Sequence, residues 1–127
     1  MQSRGAGAYR ALAAATAPPA KLVVLLYRRA VQSIRRSIAA LDRHDLASAH
    51  NELVRAEDIL LELQAQLNRE VDPLASDLGA LYDYFRRTLM DANLRKDPEP
   101  AIRVAELLDS LLQAWEVALA PKARRRL

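Results

Sequence analysis

Residues 46–67 read LASAHNELVRAEDILLELQAQL. Leu46, Ala49, Leu53, Ala56, Leu60, Leu63 and Leu67 step by three and four without a break. That is the spacing of one apolar stripe along an α-helix, not the strict alternation of a strand. Over these 22 residues the stripe is about 33 Å long, enough for one full helix of a bundle. A single stripe of this kind must be buried against others, and the rest of the chain supplies them.

Upstream, Pro18 and Pro19 mark a helix start, since proline is tolerated in the first turn. The helix they open is expected to run to about Asp42, with Val23, Tyr27, Ala30, Ile34, Ile38 and Leu41 as its stripe. Arg43 to Asp45 form a tight connection, and Asp45 is the expected N-cap of the next helix. Downstream, Asp72-Pro73 and Asp97-Pro98 are two restart signals, each an N-cap followed by proline at the first helical position. The third helix shows Leu74, Leu78, Leu81, Phe85, Leu89 and Ala92; the fourth shows Val104, Leu108, Leu111, Trp115 and Leu119, and Pro121 stops it. Four helices joined by short turns predict an all-α, antiparallel up-down-up-down four-helix bundle. The expected division is a mobile arm over residues 1–17, the bundle over 18–121 and a basic, disordered tail over 122–127.

Composition agrees with that architecture. Of 127 residues, 24 are Ala and 22 Leu, against 13 for Val, Ile and Thr combined. Ala and Leu lose little in a helix, whereas β-branched residues are what sheets collect. With 51% apolar and 28% charged residues the chain suits a single globular domain. The longest apolar run near the N-terminus, Leu22 to Tyr27, falls far short of the roughly 18 residues of a membrane span. There is no cysteine, and so no disulfide, thiolate metal site or cysteine nucleophile. The acid-free arm shares its Ala and Arg content with organellar transit peptides, but it runs straight into domain sequence with no cleavable spacer. Without a signal-peptide apolar region, a cytoplasmic location is expected.

The net charge of +3 hides a segregation. Residues 1–43 hold eight Lys/Arg and one acid, whereas residues 44–121 hold seven Lys/Arg and fifteen acids. A basic first helix paired to acidic neighbours along the seams is the expected use of this split. Arg28, Arg29, Arg35 and Arg36 and the terminal Arg124 to Arg126 also raise nucleic-acid binding, but no aromatic is interleaved among them, and no nucleic-acid role is expected.

Catalytic and metal chemistry find no foothold. A di-metal bundle needs Glu-x-x-His on two helices, and neither His44 nor His50 has a Glu three residues earlier. Neither cofactor nor metal is expected, and the chain is not expected to be an enzyme. The one alternative of another class is a phosphotransfer or signalling bundle using His50, whose sequence neighbours Glu52, Glu57 and Asp58 oppose a phosphoryl group.

Some apolar residues are not needed by the stripes. Leu22, Val24, Leu25 and Leu26 broaden the first helix, and Ile59, Leu61 and Leu107 do the same on the second and fourth. Tyr82 flanks the third stripe, while Tyr84 points about 200° from it. Apolar surface beyond the core suits receipt of a partner's amphipathic helix, and on periodicity alone it suits wide core faces in a small bundle or a homodimer equally well.

The same residues carry a resemblance. Tyr9, Thr16, Lys21-Leu22-Val23 and Leu26-Tyr27 are similar in type and spacing to the opening of the FliS family of flagellar secretion chaperones. So are the second-helix stretch from Ala49 to Ile59, Leu81-Tyr82-Asp83-Tyr84, Leu89, Ala92-Asn93, Asp97-Pro98 and Trp115-Glu116. The resemblance covers Tyr9 to Ala118. It departs at Pro18, where the family has Ser, at Arg28-Arg29, where it has an acid and Gly, and at Ala14, where it has a β-branched residue. The resemblance implies a cytoplasmic chaperone that binds the disordered C-terminal segment of flagellin, blocks premature polymerisation and delivers it to the flagellar type III export apparatus. The further partners it implies are a flagellar export gate component and, in some bacteria, an anti-sigma factor. The residues expected to meet flagellin are Tyr9, Leu22, Leu26, Tyr27, Ile59, Tyr82, Tyr84, Leu89 and Asn93.

Overall fold

The computed structural model describes residues 20–68 and 73–120. They form four helices, α1 (Ala20–Asp42), α2 (Leu46–Ala65), α3 (Pro73–Arg95) and α4 (Pro98–Leu119). Two of the expected helix caps hold, and Pro18 and Pro19 lie outside the described residues. Asp45 caps α2, its side chain accepting from the Ser48 amide at 3.2 Å, and the hydrogen bonding from Ser48 holds its carboxyl below the usual carboxylate range. Asp97 caps α4 by accepting from the Glu99 amide at 3.0 Å, with Pro98 in the first turn. Asp72 lies outside the described residues.

Two turns are closed in the same way. His44 and Lys96 both take positive φ, 60° and 55°, just past the ends of α1 and α3. The next amide then reaches back across the helix end, Asp45 to the Ala40 carbonyl at 2.8 Å and Asp97 to the Ala92 carbonyl at 3.1 Å. Such left-handed closures are usually made with glycine, and they turn the chain within two or three residues.

Short turns place consecutive helices side by side, and the ring closes: α1 packs on α2 and α4, and α3 packs on α2 and α4. Cross-helix bonds fix the antiparallel sense. Arg28 and Arg35 of α1 meet Glu116 and Asp109 of α4, and Gln64 and His50 of α2 meet Gly79 and Asn93 of α3. In both pairings the residue numbers fall on one helix as they rise on the other. The structure is the all-α four-helix bundle expected. No helix among the described residues is long and apolar enough to cross a membrane.

The core runs through the axis as Val23, Tyr27 and Ile34, then Leu53 and Leu60, Phe85 and Leu89, and Val104, Leu108 and Trp115, all with at most 1% exposure. Three details differ from the stripes. The α4 face turns through Leu112, so Leu111 is left half-buried at the margin. Ile38, Leu67, Leu74, Leu81 and Leu119 are margin residues too, and Leu46 is exposed. The buried face of α1 is broader than one stripe, because Val24, Leu26 and Val31 are also covered, together with Ser33 and Ser37. Ser37 returns its hydroxyl to its own helix, donating to the Ile34 carbonyl at 2.6 Å.

At the centre lies a polar exception. The hydroxyls of Tyr27 on α1 and Tyr82 on α3 are hydrogen-bonded to each other, in full burial, across the diagonal of the bundle. Their rings meet edge-on at 6.1 Å between centroids, and Trp115 of α4 leans on Tyr27 at 6.3 Å. Burial pushes both phenols to higher pKa, so each stays neutral across the physiological range. The Trp115 indole N–H partly opposes the shift at Tyr27 but has no acceptor within hydrogen-bonding geometry among the described residues.

Two mutational results follow. Leu53→Asp and Leu108→Asp each put an unpaired charge in the core and are expected to cost about 4 kcal/mol or more, seen as loss of the helical signal by circular dichroism. Tyr27→Phe and Tyr82→Phe are each expected to cost about 1–2 kcal/mol in urea melts, because each leaves one buried hydroxyl orphaned. The double variant is expected to be no worse than either single one, and additive losses would show that the hydroxyl pair is not coupled.

Candidate functional site

The residues expected to meet a partner fall into distinct places. Tyr9 lies outside the described residues. Tyr27, Tyr82 and Leu89 have no exposed surface and belong to the core, so a partner docking on the intact bundle reaches none of them. Leu26 is nearly covered and Ile59 half-buried, and both line the groove between α1 and α2. Asn93 is half-buried in the groove between α2 and α3. Leu22 and Tyr84 stand in solvent at 45% and 47% exposure. At the surface the bundle therefore brings together Leu26 with Ile59 in one groove and places Asn93 in another.

Tyr84 is held from below. Its ring sits 6.0 Å from that of Phe85, and its backbone carbonyl accepts from the Thr88 hydroxyl at 2.7 Å. Its ring is thus presented outward on a rigid helix without serving the core.

The α2–α3 groove was not foreseen in the sequence. It encloses about 400 Å³ between His50, Val54 and Glu57 on one side and Met90, Asn93, Leu94 and Lys96 on the other. Met90 and Leu94 are 48% and 85% exposed. They lie off the α3 stripe, so the helical-wheel argument that singled out Tyr84 could have found them. A hydrogen-bond chain closes one end: Lys96 donates to Asn93 Oδ1 at 2.6 Å, and the Asn93 amide faces His50 Nδ1 at 2.9 Å. Since the Asn93 oxygen is taken by Lys96, its NH2 is the donor to His50. Lys96 also supplies near His50 the cation that its sequence neighbours lack.

Further along the same seam Glu57 is in an awkward position. Its Oε2 is covered and has no hydrogen-bond partner among the described residues. Burial pushes its carboxyl pKa up, and Asp58 adds to this, while Arg86 and His50 oppose it. None of these side chains forms a metal cluster: among the described residues there is no group of three His, Asp or Glu placed to hold an ion.

A pH dependence follows from Glu57. A carboxyl that binds its proton more tightly folded than unfolded favours the fold when protonated, and that contribution is lost as pH rises through the raised folded value. Glu57→Gln mimics the protonated form. It is expected to raise the thermal midpoint at pH 7 by about 2 °C, after allowance for partial solvent screening. The gain should shrink toward zero below the ordinary glutamate range, as a series of melts from pH 7 to pH 4 would record.

Comparison with known proteins agrees with this geometry. The family model described as flagellar protein FliS matches residues 1–122. The flagellar secretion chaperone FliS of Bacillus subtilis is 30% identical over 119 residues, covering 94% of this chain and 89% of its own. That of Salmonella typhimurium is 33% identical over 110 residues, covering 85% and 81%. Among solved structures, one described as a flagellar chaperone from bacteria superposes with a TM-score of 0.74 at 24% identity over 82% of this chain and 85% of its own, which supports the fold. The four-helix bundle, the motif tyrosines and the match along nearly the whole chain place this protein in the FliS family of flagellar proteins.

Proposed function

We propose that the protein is a cytoplasmic, non-enzymatic export chaperone whose client is flagellin, bound through its disordered C-terminal segment. The observation that carries this reading is the family match over residues 1–122, joined to a bundle whose core is complete without its outer apolar residues. Leu22, Leu25, Tyr84, Met90, Leu94 and Leu107 are all 40% or more exposed and serve no stripe. A client segment that becomes helical on such a surface hides its own assembly face, so filament growth waits until export. Ordering the segment costs conformational entropy, which keeps the affinity moderate for the area buried and allows release at the export gate. An anti-sigma factor is a further partner on this reading. His50 serves as part of the α2–α3 tie rather than as a phosphoryl acceptor.

The test is calorimetry against flagellin with and without its last ~40 residues, a length matched to a segment that folds over much of the bundle. Full-length flagellin is expected to bind and the truncated form to lose most of its affinity. Tyr84→Ala should weaken binding about tenfold while leaving the melting temperature unchanged, since truncating an exposed aromatic anchor costs binding and not packing. Equal binding of the two flagellins would overturn the reading. Deleting residues 1–17, which contain Tyr9, should alter the affinity by changing either competition with the client or its clasping.

A further inference from the structure

Helix α1 carries four arginines in two rows, Arg28 with Arg35 and Arg29 with Arg36, each pair seven residues apart. The fold answers one row. Arg28 reaches Glu116 at 2.8 Å and Arg35 reaches Asp109 at 3.7 Å, both on α4. The other row faces α2 and is left open: among the described residues neither Arg29 nor Arg36 has an ion-pair partner.

Those two arginines line a groove of about 390 Å³ between α1 and α2, with Arg55 as a third cation. Among the described residues Arg55 is held only by Glu52 of its own helix, at 3.5 Å, and Glu62 is the one acid lining the groove. Leu26 and Ile59 supply its apolar lining, and Ser33 adds a hydroxyl. Three guanidinium groups along one groove repel one another, and the ends of the chain cannot relieve them. Residues 1–19 and 121–127 contain no acid, and the first of these stretches adds Arg4 and Arg10. The arm is thus the wrong charge to fill this groove.

We propose that the α1–α2 groove is a docking site for an acidic amphipathic segment of a partner protein. Its apolar side chains would cover Leu26 and Ile59, and its carboxylates would pair with Arg29, Arg36 and Arg55. Arginine suits this role because its planar fork binds carboxylates in two-point fashion. The proposal goes beyond the export reading and does not depend on which segment flagellin contributes.

The probe is a fluorescent helical peptide of about 18 residues with Leu at three-four spacing and Glu elsewhere, beside a counterpart with Lys for Glu. Anisotropy titrations should show the Glu peptide binding at least tenfold more tightly than the Lys peptide in low salt, with the difference shrinking as salt screens the charges. R29E/R36E should weaken the Glu peptide about tenfold or more, and Ile59→Ala several-fold. R87E/R103E makes the same change in net charge elsewhere on the bundle and should alter binding less than about twofold. R29E/R36E breaks no ion pair and should melt no lower than wild type, which excludes loss of fold as the cause.

Equal weakening by the two double variants would mean bulk charge attraction only and would overturn the site. So would light scattering in which the wild type is a dimer and R29E/R36E a monomer, since the groove's occupant is then the acidic face of a second copy. Loss of the acidic peptide's binding by no variant, with flagellin binding intact, would sink the groove and leave the export reading standing.

Discussion

The bundle is organised around one buried polar contact, the hydroxyl pair of Tyr27 and Tyr82. Apolar stripes can slide past one another by a turn at modest cost, because leucine in one position packs much as leucine in the next. A buried hydroxyl cannot, since a phenol moved one turn away from its partner is orphaned in an apolar interior. The pair therefore ties the register of α1 to that of α3 across the diagonal, where no short turn links them. Trp115 on α4 packs against Tyr27 and extends the same layer to a third helix. With three of the four helices fixed at one level, the remaining fit of α2 follows from its short connection to α1 and its apolar stripe.

Charge sets the neighbours where packing does not. The basic first helix was expected to be neutralised along its seams, and this holds for only half of it. Arg28 and Arg35 find acids on α4, whereas the row one residue further round looks onto α2, where Glu62 is the one acid lining the groove and, among the described residues, pairs with neither arginine. Exposed ion pairs add little stability, about 0–1 kcal/mol each, so the fold tolerates the open row readily. What an open row of arginines changes is the field above the groove, and hence the kind of segment that is drawn to it.

Much of this was legible in the sequence for a physical reason. Proline and aspartate act locally, so the caps at Asp45 and Asp97 and the start at Pro73 could be placed to the residue. The three-four stripes define which way each helix faces. They do not define how wide the covered face is, because that depends on how closely two neighbours approach; hence the broad face of α1 and the shift from Leu111 to Leu112. The tyrosines illustrate the other limit. The helical wheel sets Tyr84 apart and leaves Tyr82 at the flank of the stripe, and only the pairing across the diagonal shows that Tyr82 is wholly core. Grooves such as that of His50, Asn93 and Lys96 are made by two helices at once, and no single stretch encodes them.

On the proposed reading, the separation between core and surface is what a carrier of an assembling protein requires. If the client's segment completed the chaperone's own core, release would leave an unstable bundle, and binding would be nearly irreversible. Here Trp115, Tyr27, Tyr82 and Phe85 are wholly covered within the chain itself. The apolar residues left outside are spread along several faces, as Leu22, Tyr84, Met90 and Leu107, rather than gathered into one deep pocket. A long segment can then engage many shallow contacts in succession, each weak alone. Such a complex gains specificity from its length, while any pull on one end can peel the contacts away one at a time.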